Sequence, residues 1–246
     1  MSDIKLSVIV PAYNEQDRLP KTLRAMDEYL KKQEYRYEIV VVSDGSEDNT
    51  VAVAEGMKNE IKGLRVINEP QNHGKGYAVR KGMLDAKGEF RIFLDADNST
   101  SVDHVEKMWP EFEKGNEVVI GSRDMKGADR TVRQPWIRER LGDVFNIIVQ
   151  VLSQLWGIWD TQCGCKGFSA AAARRIFAKT IINRWAFDVE VLVIAKKLGY
   201  NIQEIPVTWV NDASSKVRLS GMIKMLIEVL QISMYNFMGR YRIHND

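Results

Sequence analysis

The sequence predicts an α/β protein built on a mostly parallel sheet flanked by helices. Short continuous apolar runs of strand length, Leu6 to Val10, Ile39 to Val42, Arg91 to Leu94 and Val118 to Ile120, read as strands buried on both faces. Between them lie segments with helical spacing, such as Leu19, Leu23, Met26 and Leu30, so β and α segments alternate. Polar clusters follow the strands: PAYNE after the first, SDGSEDNT after the second, NEPQNHGKG after the third, DADNST after the fourth and GSRD after the fifth. Ligands of parallel sheets sit at the carboxyl ends of the strands, so clusters at successive ends point to one site.

Composition narrows the class. With 246 residues, 45% of them hydrophobic, the chain can bury a sizeable core. A net charge of +2 leaves no global field of either sign, which argues against nucleic acid as a partner. Cys163 and Cys165 are the only cysteines and have no second pair, so they read as packed thiols in a reducing compartment rather than a disulfide scaffold or zinc site. The opening MSDIKLSVIV has too short an apolar run before Pro11 to be a secretory signal; a strand is expected there, with no membrane anchor ahead of it.

From about Arg133 onward, strand-like runs thin out and apolar helical stretches appear. Val144 to Trp159 falls short of the roughly 20 residues a spanning helix needs. Met222 to Met238 carries Lys224 and Glu228, and neither segment is expected to span a membrane. Each fits either a core helix or an amphipathic helix in a membrane interface, the C-terminal one with Lys216, Arg218, Arg240 and Arg242 near anionic headgroups. Residues 1–132 thus read as a ligand-binding half and 133–246 as its continuation in one compact domain. His73 reads as a loop residue, and His104 and His244 as surface histidines.

Asp95 and Asp97 carry the first chemical signal. In an extended segment, residues i and i+2 point to the same side, so both carboxylates can approach one ligand. Two anions so close suit a shared cation, and oxygen ligands with open positions suit Mg²⁺ or Mn²⁺ completed by a substrate diphosphate. A solvated turn or helix N-cap also accommodates a bare Asp-x-Asp. The neighbouring strand ends add Asp44, able to accept hydrogen bonds from a nucleobase or ribose, and Lys75, which Gly74 and Gly76 leave free to approach phosphate. A Walker-type phosphate loop is absent. Between Gly121 and Gly142, six basic residues (Arg123, Lys126, Arg130, Arg133, Arg138 and Arg140) face three acids, a cationic loop suited to an anionic acceptor.

These motifs, VIVPAYNE, VVSDGSEDNT, NHGKGYAVRKGM, FLDADNST and GSRD in this order, resemble the nucleotide-sugar-binding half of an inverting family 2 glycosyltransferase with the GT-A fold. The later segments DTQCGCKGFS, RWAFDVEVLVIAKKLGY, IQEIPVTW and SSKVR resemble the dolichyl-phosphate β-glucosyltransferases, with dolichyl-phosphate mannose synthases the next nearest group. Cys165 stands where those enzymes usually carry an aromatic. The resemblance implies donor-binding roles for Pro11, Tyr13, Glu15, Asp44 and Asp95, and Ala12 and the glycine-flanked Lys75 join them as donor-binding candidates. It implies metal binding by Asp95 and Asp97 and catalytic roles for both, with Ser99 where mannose synthases of this type offer a further ligand. Arg123 and Arg138 match positions proposed to hold the acceptor phosphate and are expected to serve catalysis, with Lys216 and Arg218 as further acceptor candidates. The expected reaction moves a hexose from a nucleotide diphosphate to a polyprenyl phosphate. UDP-glucose is the favoured donor, with GDP-mannose or a non-catalytic nucleotide-sugar-binding module as alternatives. The expected setting is the cytoplasmic face of a membrane, with a membrane-anchoring protein as a further partner.

Overall fold

In the computed structural model, residues 3–130, 146–210 and 219–241 are described. The first unit alternates as the periodicity predicts: β1 (Leu6–Ala12), α1 (Leu19–Leu30), β2 (Tyr37–Asp44), α2 (Thr50–Gly56), β3 (Leu64–Glu69), α3 (Lys75–Asp85), β4 (Phe90–Leu94), α4 (Val105–Glu113) and β5 (Val118–Ser122). β1 pairs in parallel with β2 and β4, and β2 with β3. Residue alternation sends Ile9, Val40, Val42 and Phe93 into the core on one face of the sheet, and Val8, Val10, Ile39 and Val41 into the core on the other. α1 packs by the stripe Leu19, Leu23, Met26 and Leu30, each fully buried.

The second half contributes more strand than its sequence suggests. After the short β6 (Asp129–Arg130) and a helix, α5, over 146–153, the chain forms β7 (Cys165–Ser169), α6 (Ala170–Phe177), α7 (Phe187–Lys197), β8 (Ile202–Pro206), β9 (Thr208–Trp209) and α8 (Leu219–Phe237). The seven-stranded sheet runs β3-β2-β1-β4-β7-β5-β8, with β7 antiparallel between β4 and β5. The CKGFS segment of β7 lacks an apolar run, because Lys166 and Gly167 interrupt it; pairing on both edges, not local pattern, makes it a strand. β8 lies parallel to β5, and β6 pairs with β9 in a separate small ribbon.

The expected Val144–Trp159 helix is shorter than its apolar content implied. α5 ends before Gln154, which adopts φ 55°, and Gly157 at φ 86° turns the chain again. Trp156 and Trp159 are exposed beyond this turn. α8 presents Ile223, Ile227, Leu230, Met234 and Phe237 to solvent, while Val229 and Ile232 face the core. Among the described residues, no helix is long and apolar enough to cross a membrane.

His104 departs from the surface position expected of it. It is 6% exposed, and its Nε2 accepts the Thr208 amide at 2.8 Å, which places the proton on Nδ1, 3.1 Å from the Ser101 carbonyl. The residue is a tie between the start of β9 and the turn that leads into α4. His73 is a loop residue stacked on Tyr77, both cysteines are buried free thiols, and His244 lies outside the described residues.

Candidate active site

The carboxyl ends of β1 and β2 interlock before any ligand is considered. Asn14, in the left-handed region at φ 55°, turns the chain after β1 and receives the Glu47 amide on Oδ1 at 2.8 Å. The Glu15 amide donates to Thr50 Oγ1 at 2.8 Å and the Gln16 amide to Asp48 Oδ2 at 3.2 Å. Pro11 and Ala12 are buried in β1, whereas Tyr13 is 44% exposed and offers a flat face beside the loop. The Glu15 carboxylate is engaged by Arg18 through two bonds of 2.7 and 2.6 Å.

Asp44 is already engaged by the neighbouring loop. At 2% exposure its two oxygens accept the amides of His73, at 2.9 Å, and Gly74, at 2.7 Å. The residue expected to receive a nucleobase or ribose is a buried clamp on the loop that carries Lys75. Gly74 adopts φ 113°, and a Cβ there would sit 2.5 Å from the Asn183 carbonyl oxygen, so glycine is required. Lys75 then opens α3.

Lys75 and Asp95 form the centre of the site. Lys75 Nζ lies 2.6 Å from Asp95 Oδ1 and 5.7 Å from the Phe187 ring centre. Burial alone would lower the lysine pKa, but Asp95 and then Asp188 reverse that effect and raise it above the ordinary range. Asp95 follows β4 directly, and Gly164 presses on it from the turn before β7: a Cβ at Gly164 would meet Asp95 Oδ2 at 2.1 Å. Asp97 Oδ1 accepts the Ser99 amide at 2.9 Å. Ser99 thus reaches Asp97 through its backbone.

The donor set fits a hard divalent cation. Asp95 and Asp97 do not lie in the extended segment expected of them but in the turn that follows β4, closed by the Asn98 amide on the Asp95 carbonyl; they offer carboxylate oxygens one residue apart, chemistry that suits Mg²⁺ or Mn²⁺. Among the described residues, no group of three or more His, Cys, Asp or Glu side chains gathers into a metal cage. Two carboxylates alone would leave coordination positions open, as a cation shared with a diphosphate and water requires.

On the far side of β5, Arg123 is already paired. Its Nε lies 2.7 Å and its Nη2 2.8 Å from the two oxygens of Asp160, whose Oδ2 also accepts the Arg123 amide at 2.9 Å. Burial would raise the Asp160 carboxyl, yet the Arg123 guanidinium holds it below the usual aspartate range. The guanidinium also stands 5.5 Å from the Trp209 ring centre. Asp160 opens the DTQCG segment, so this motif holds Arg123. Arg138, Lys216 and Arg218 lie outside the described residues.

A further ion pair has no signature in the sequence. Lys166 Nζ, fully buried, donates to the Cys163 carbonyl at 2.7 Å and to Asp188 Oδ1 at 2.5 Å. Asp188 sits in the first turn of α7, and its burial raises its carboxyl pKa despite Lys166 and Lys75. The two residues belong to the motifs CKGFS and WAFDVE, but 22 positions of sequence separate them and no local pattern announces the pair. The same burial pushes the Cys163 thiol up to about 12, so it is inert packing rather than a nucleophile.

Parallel strand ends bearing two carboxylates, a lysine loop and a braced arginine suit a nucleotide-sugar transferase of the GT-A type. Residues 7–177 match the model of Glycosyl transferase family 2. The chain is 38% identical over 254 residues to a dolichyl-phosphate beta-glucosyltransferase of Trichomonas vaginalis, covering 99% of this chain and 77% of the relative. It is 38% identical to the enzyme so named in Dictyostelium discoideum, covering 99% and 78%, and 36% identical to that of Homo sapiens, covering 97% and 78%. Among solved structures, mannosyl-3-phosphoglycerate synthase from Rubrobacter xylanophilus superposes with a TM-score of 0.71 at 17% identity, covering 99% of this chain and 77% of that one. Glucosyl-3-phosphoglycerate synthase from Mycobacterium tuberculosis, in complex with Mn²⁺, UDP and glucosyl-3-phosphoglycerate, gives 0.69 at 16%, covering 99% and 82%. The chain belongs to glycosyl transferase family 2, in the group of the dolichyl-phosphate β-glucosyltransferases.

Proposed function

We propose that this glycosyltransferase moves glucose from UDP-glucose to a polyprenyl phosphate of the dolichyl type, with inversion, to give a β-linked lipid-phosphate sugar. The observation that carries this reading is the Lys75–Asp95 ion pair at the carboxyl end of β4, with Asp97 two residues on, in a chain 36–38% identical over nearly its full length to enzymes named for that transfer. Tyr13, beside Pro11 and Ala12, lies against the nucleoside. Glu15 and Asp44 shape its loops through Arg18 and through the amides of His73 and Gly74.

The acceptor explains the basic side of the site. A sugar hydroxyl must lose a proton during attack and needs a positioned base; a lipid monophosphate, with a second pKa of about 6, is already a dianion at neutral pH. Its oxygen forms the bond to the anomeric carbon as the bond from that carbon to the donor diphosphate breaks, and UDP departs with the electron pair. The protein's task is to orient two anions against each other. Lys75 turns to the departing diphosphate, while Arg123, braced by Asp160, holds the acceptor phosphate together with Arg138, Lys216 and Arg218. An Mg²⁺ or Mn²⁺ ion held by Asp95 and Asp97, with Ser99 fixing Asp97, supplies positive charge to the diphosphate when bound. The Mn²⁺ and UDP named for the Mycobacterium tuberculosis structure support that choice of ligand class.

The lipid acceptor gives the exposed face of α8 a use. Its apolar stripe, with Trp156 and Trp159 exposed elsewhere, suits a peripheral enzyme on the cytoplasmic membrane surface, and a membrane-anchoring protein would strengthen that contact. Residues 1–132 then carry the donor-binding side chains and, at Arg123, the first acceptor contact, while 133–246 carry the rest of the acceptor and lipid side and brace the donor site through Gly164 and Phe187. GDP-mannose is the rival donor, and a non-catalytic nucleotide-sugar-binding module the rival class. Incubation with dolichyl phosphate, Mg²⁺ or Mn²⁺ and either UDP-glucose or GDP-mannose separates these. Glucosylated lipid with the first and little product with the second supports the reading; the reverse assigns mannose, and binding without turnover assigns the module.

A further inference from the structure

Lys166 is 0% exposed and Asp188 4% exposed, and burying two charges costs free energy that their attraction often fails to recover. Stability alone does not account for keeping the pair. Its place in the fold does.

Lys166 ties two segments together: the turn before β7, through the Cys163 carbonyl at 2.7 Å, and the first turn of α7, through Asp188 at 2.5 Å. Each segment abuts a different half of the Lys75–Asp95 contact. The turn holds Gly164, whose Cβ position lies 2.1 Å from Asp95 Oδ2, so its backbone is the wall behind that carboxylate. The start of α7 holds Phe187, whose Cβ lies 2.6 Å from the Cβ position of Gly76 and whose ring lies under the Lys75 ammonium at 5.7 Å. The charges alternate in sign from the core to the cleft: Lys166, Asp188, Lys75, Asp95.

Resting on the donor-site reading above, we propose that the buried Lys166–Asp188 pair is a positioning device for the donor diphosphate. It fixes the separation of the Lys75 and Asp95 walls and gives Lys75 a second counterion. The second counterion matters at the moment of donor binding. Lys75 leaves Asp95 for the diphosphate, and Asp188, held by Lys166 next to the Phe187 ring that underlies the ammonium, keeps the lysine aimed. Neither Lys166 nor Asp188 touches the reacting atoms in this arrangement; both act through Lys75 and Asp95.

The test replaces the pair by apolar residues of similar volume, Lys166→Met with Asp188→Leu. This double variant is expected to melt at or above the native temperature, since an intact apolar core replaces two buried charges. Its ligand-free crystal structure should show Lys75 Nζ withdrawn from Asp95 Oδ1, well beyond the native 2.6 Å. Calorimetric UDP affinity in the presence of Mn²⁺ should fall at least tenfold, and the donor KM should rise by a similar factor while the KM for lipid phosphate stays unchanged. A folded double variant that keeps both the Lys75–Asp95 ion pair and native UDP affinity overturns the proposal, because the buried pair is then packing alone. If the double variant does not fold, Asp188→Asn takes its place, keeping the shape and the Lys166 hydrogen bond but not the charge, and native UDP affinity there overturns the proposal equally. Failure of the native protein to bind UDP refutes the donor-site reading instead, and the ligand-free structure still decides whether the pair sets the Lys75–Asp95 distance.

Discussion

Gly164→Ala puts the donor site under the most direct steric test. The added Cβ would stand 2.1 Å from Asp95 Oδ2, 2.5 Å from its Cγ and 2.9 Å from Oδ1. Ordinary carbon–oxygen contacts begin near about 3.3 Å, so the carboxylate or the turn must retreat by roughly 1 Å. Overpacking of this kind costs about 1–3 kcal/mol. For a chain of this size each kcal/mol shifts the melting temperature by about 2–4 °C, so a fall of roughly 2–12 °C is expected. A displacement of about 1 Å at a catalytic group costs on the order of a hundredfold in rate, which makes activity the more sensitive reading. Differential scanning fluorimetry and transfer of radiolabelled glucose from UDP-glucose to dolichyl phosphate measure the two effects on one preparation. Native melting together with native turnover would refute the placement of Asp95 against this turn.

Asp97→Ala should abolish turnover while changing the melting temperature little, because its carboxylate bonds the nearby Ser99 amide rather than the core; full activity of this variant, or of the native enzyme in EDTA, would remove the metal from the mechanism. Arg123→Ala leaves the Asp160 carboxylate buried without its counterion and should cost about 3–5 kcal/mol, seen as an earlier urea midpoint, whereas an unchanged midpoint would show the pair to be dispensable. Because Arg123 depresses the Asp160 pKa, their pairing stabilises the fold above the ordinary aspartate value of 3.8 and is lost as pH falls below it; native protein and Arg123→Ala should therefore converge in stability on acidification, and a constant gap would contradict this sign. Phe237, 93% exposed on α8, contributes little to the core, so Phe237→Asp should leave melting unchanged yet reduce cosedimentation with anionic liposomes, and high salt should weaken native binding; equal sedimentation of both proteins would place the membrane contact elsewhere.

The first half of the fold was legible because its strands are apolar on both faces and its helices keep one buried stripe, patterns that survive in a single sequence. β7 was not, since Lys166 and Gly167 break its run and only pairing with β4 and β5 makes it a strand. The site divides along the same line. Asp95 and Asp97 follow an apolar strand and Lys75 stands between two glycines, and the structure brings Lys75 to Asp95. The uses of Asp44, Arg123 and His104 depend on partners 29, 37 and 104 positions away, which no local spacing reports. Lys166 and Asp188 were harder still, because a lysine in a strand and an aspartate in a helix start each look solvent-facing until the sheet closes over them.

The central claim is that the acceptor is a lipid phosphate that attacks without a protein base. The purified chain incubated with UDP-glucose, dolichyl phosphate and Mg²⁺ or Mn²⁺ should yield one product by mass spectrometry, glucose joined to the lipid phosphate, with a β-anomeric signal by NMR. Its rate should fall only as pH drops toward the acceptor's own second pKa of about 6. Glucose transferred to soluble sugars or proteins and none to lipid phosphate, with a rate governed by a pKa that moves when a protein carboxylate is changed, would contradict the account.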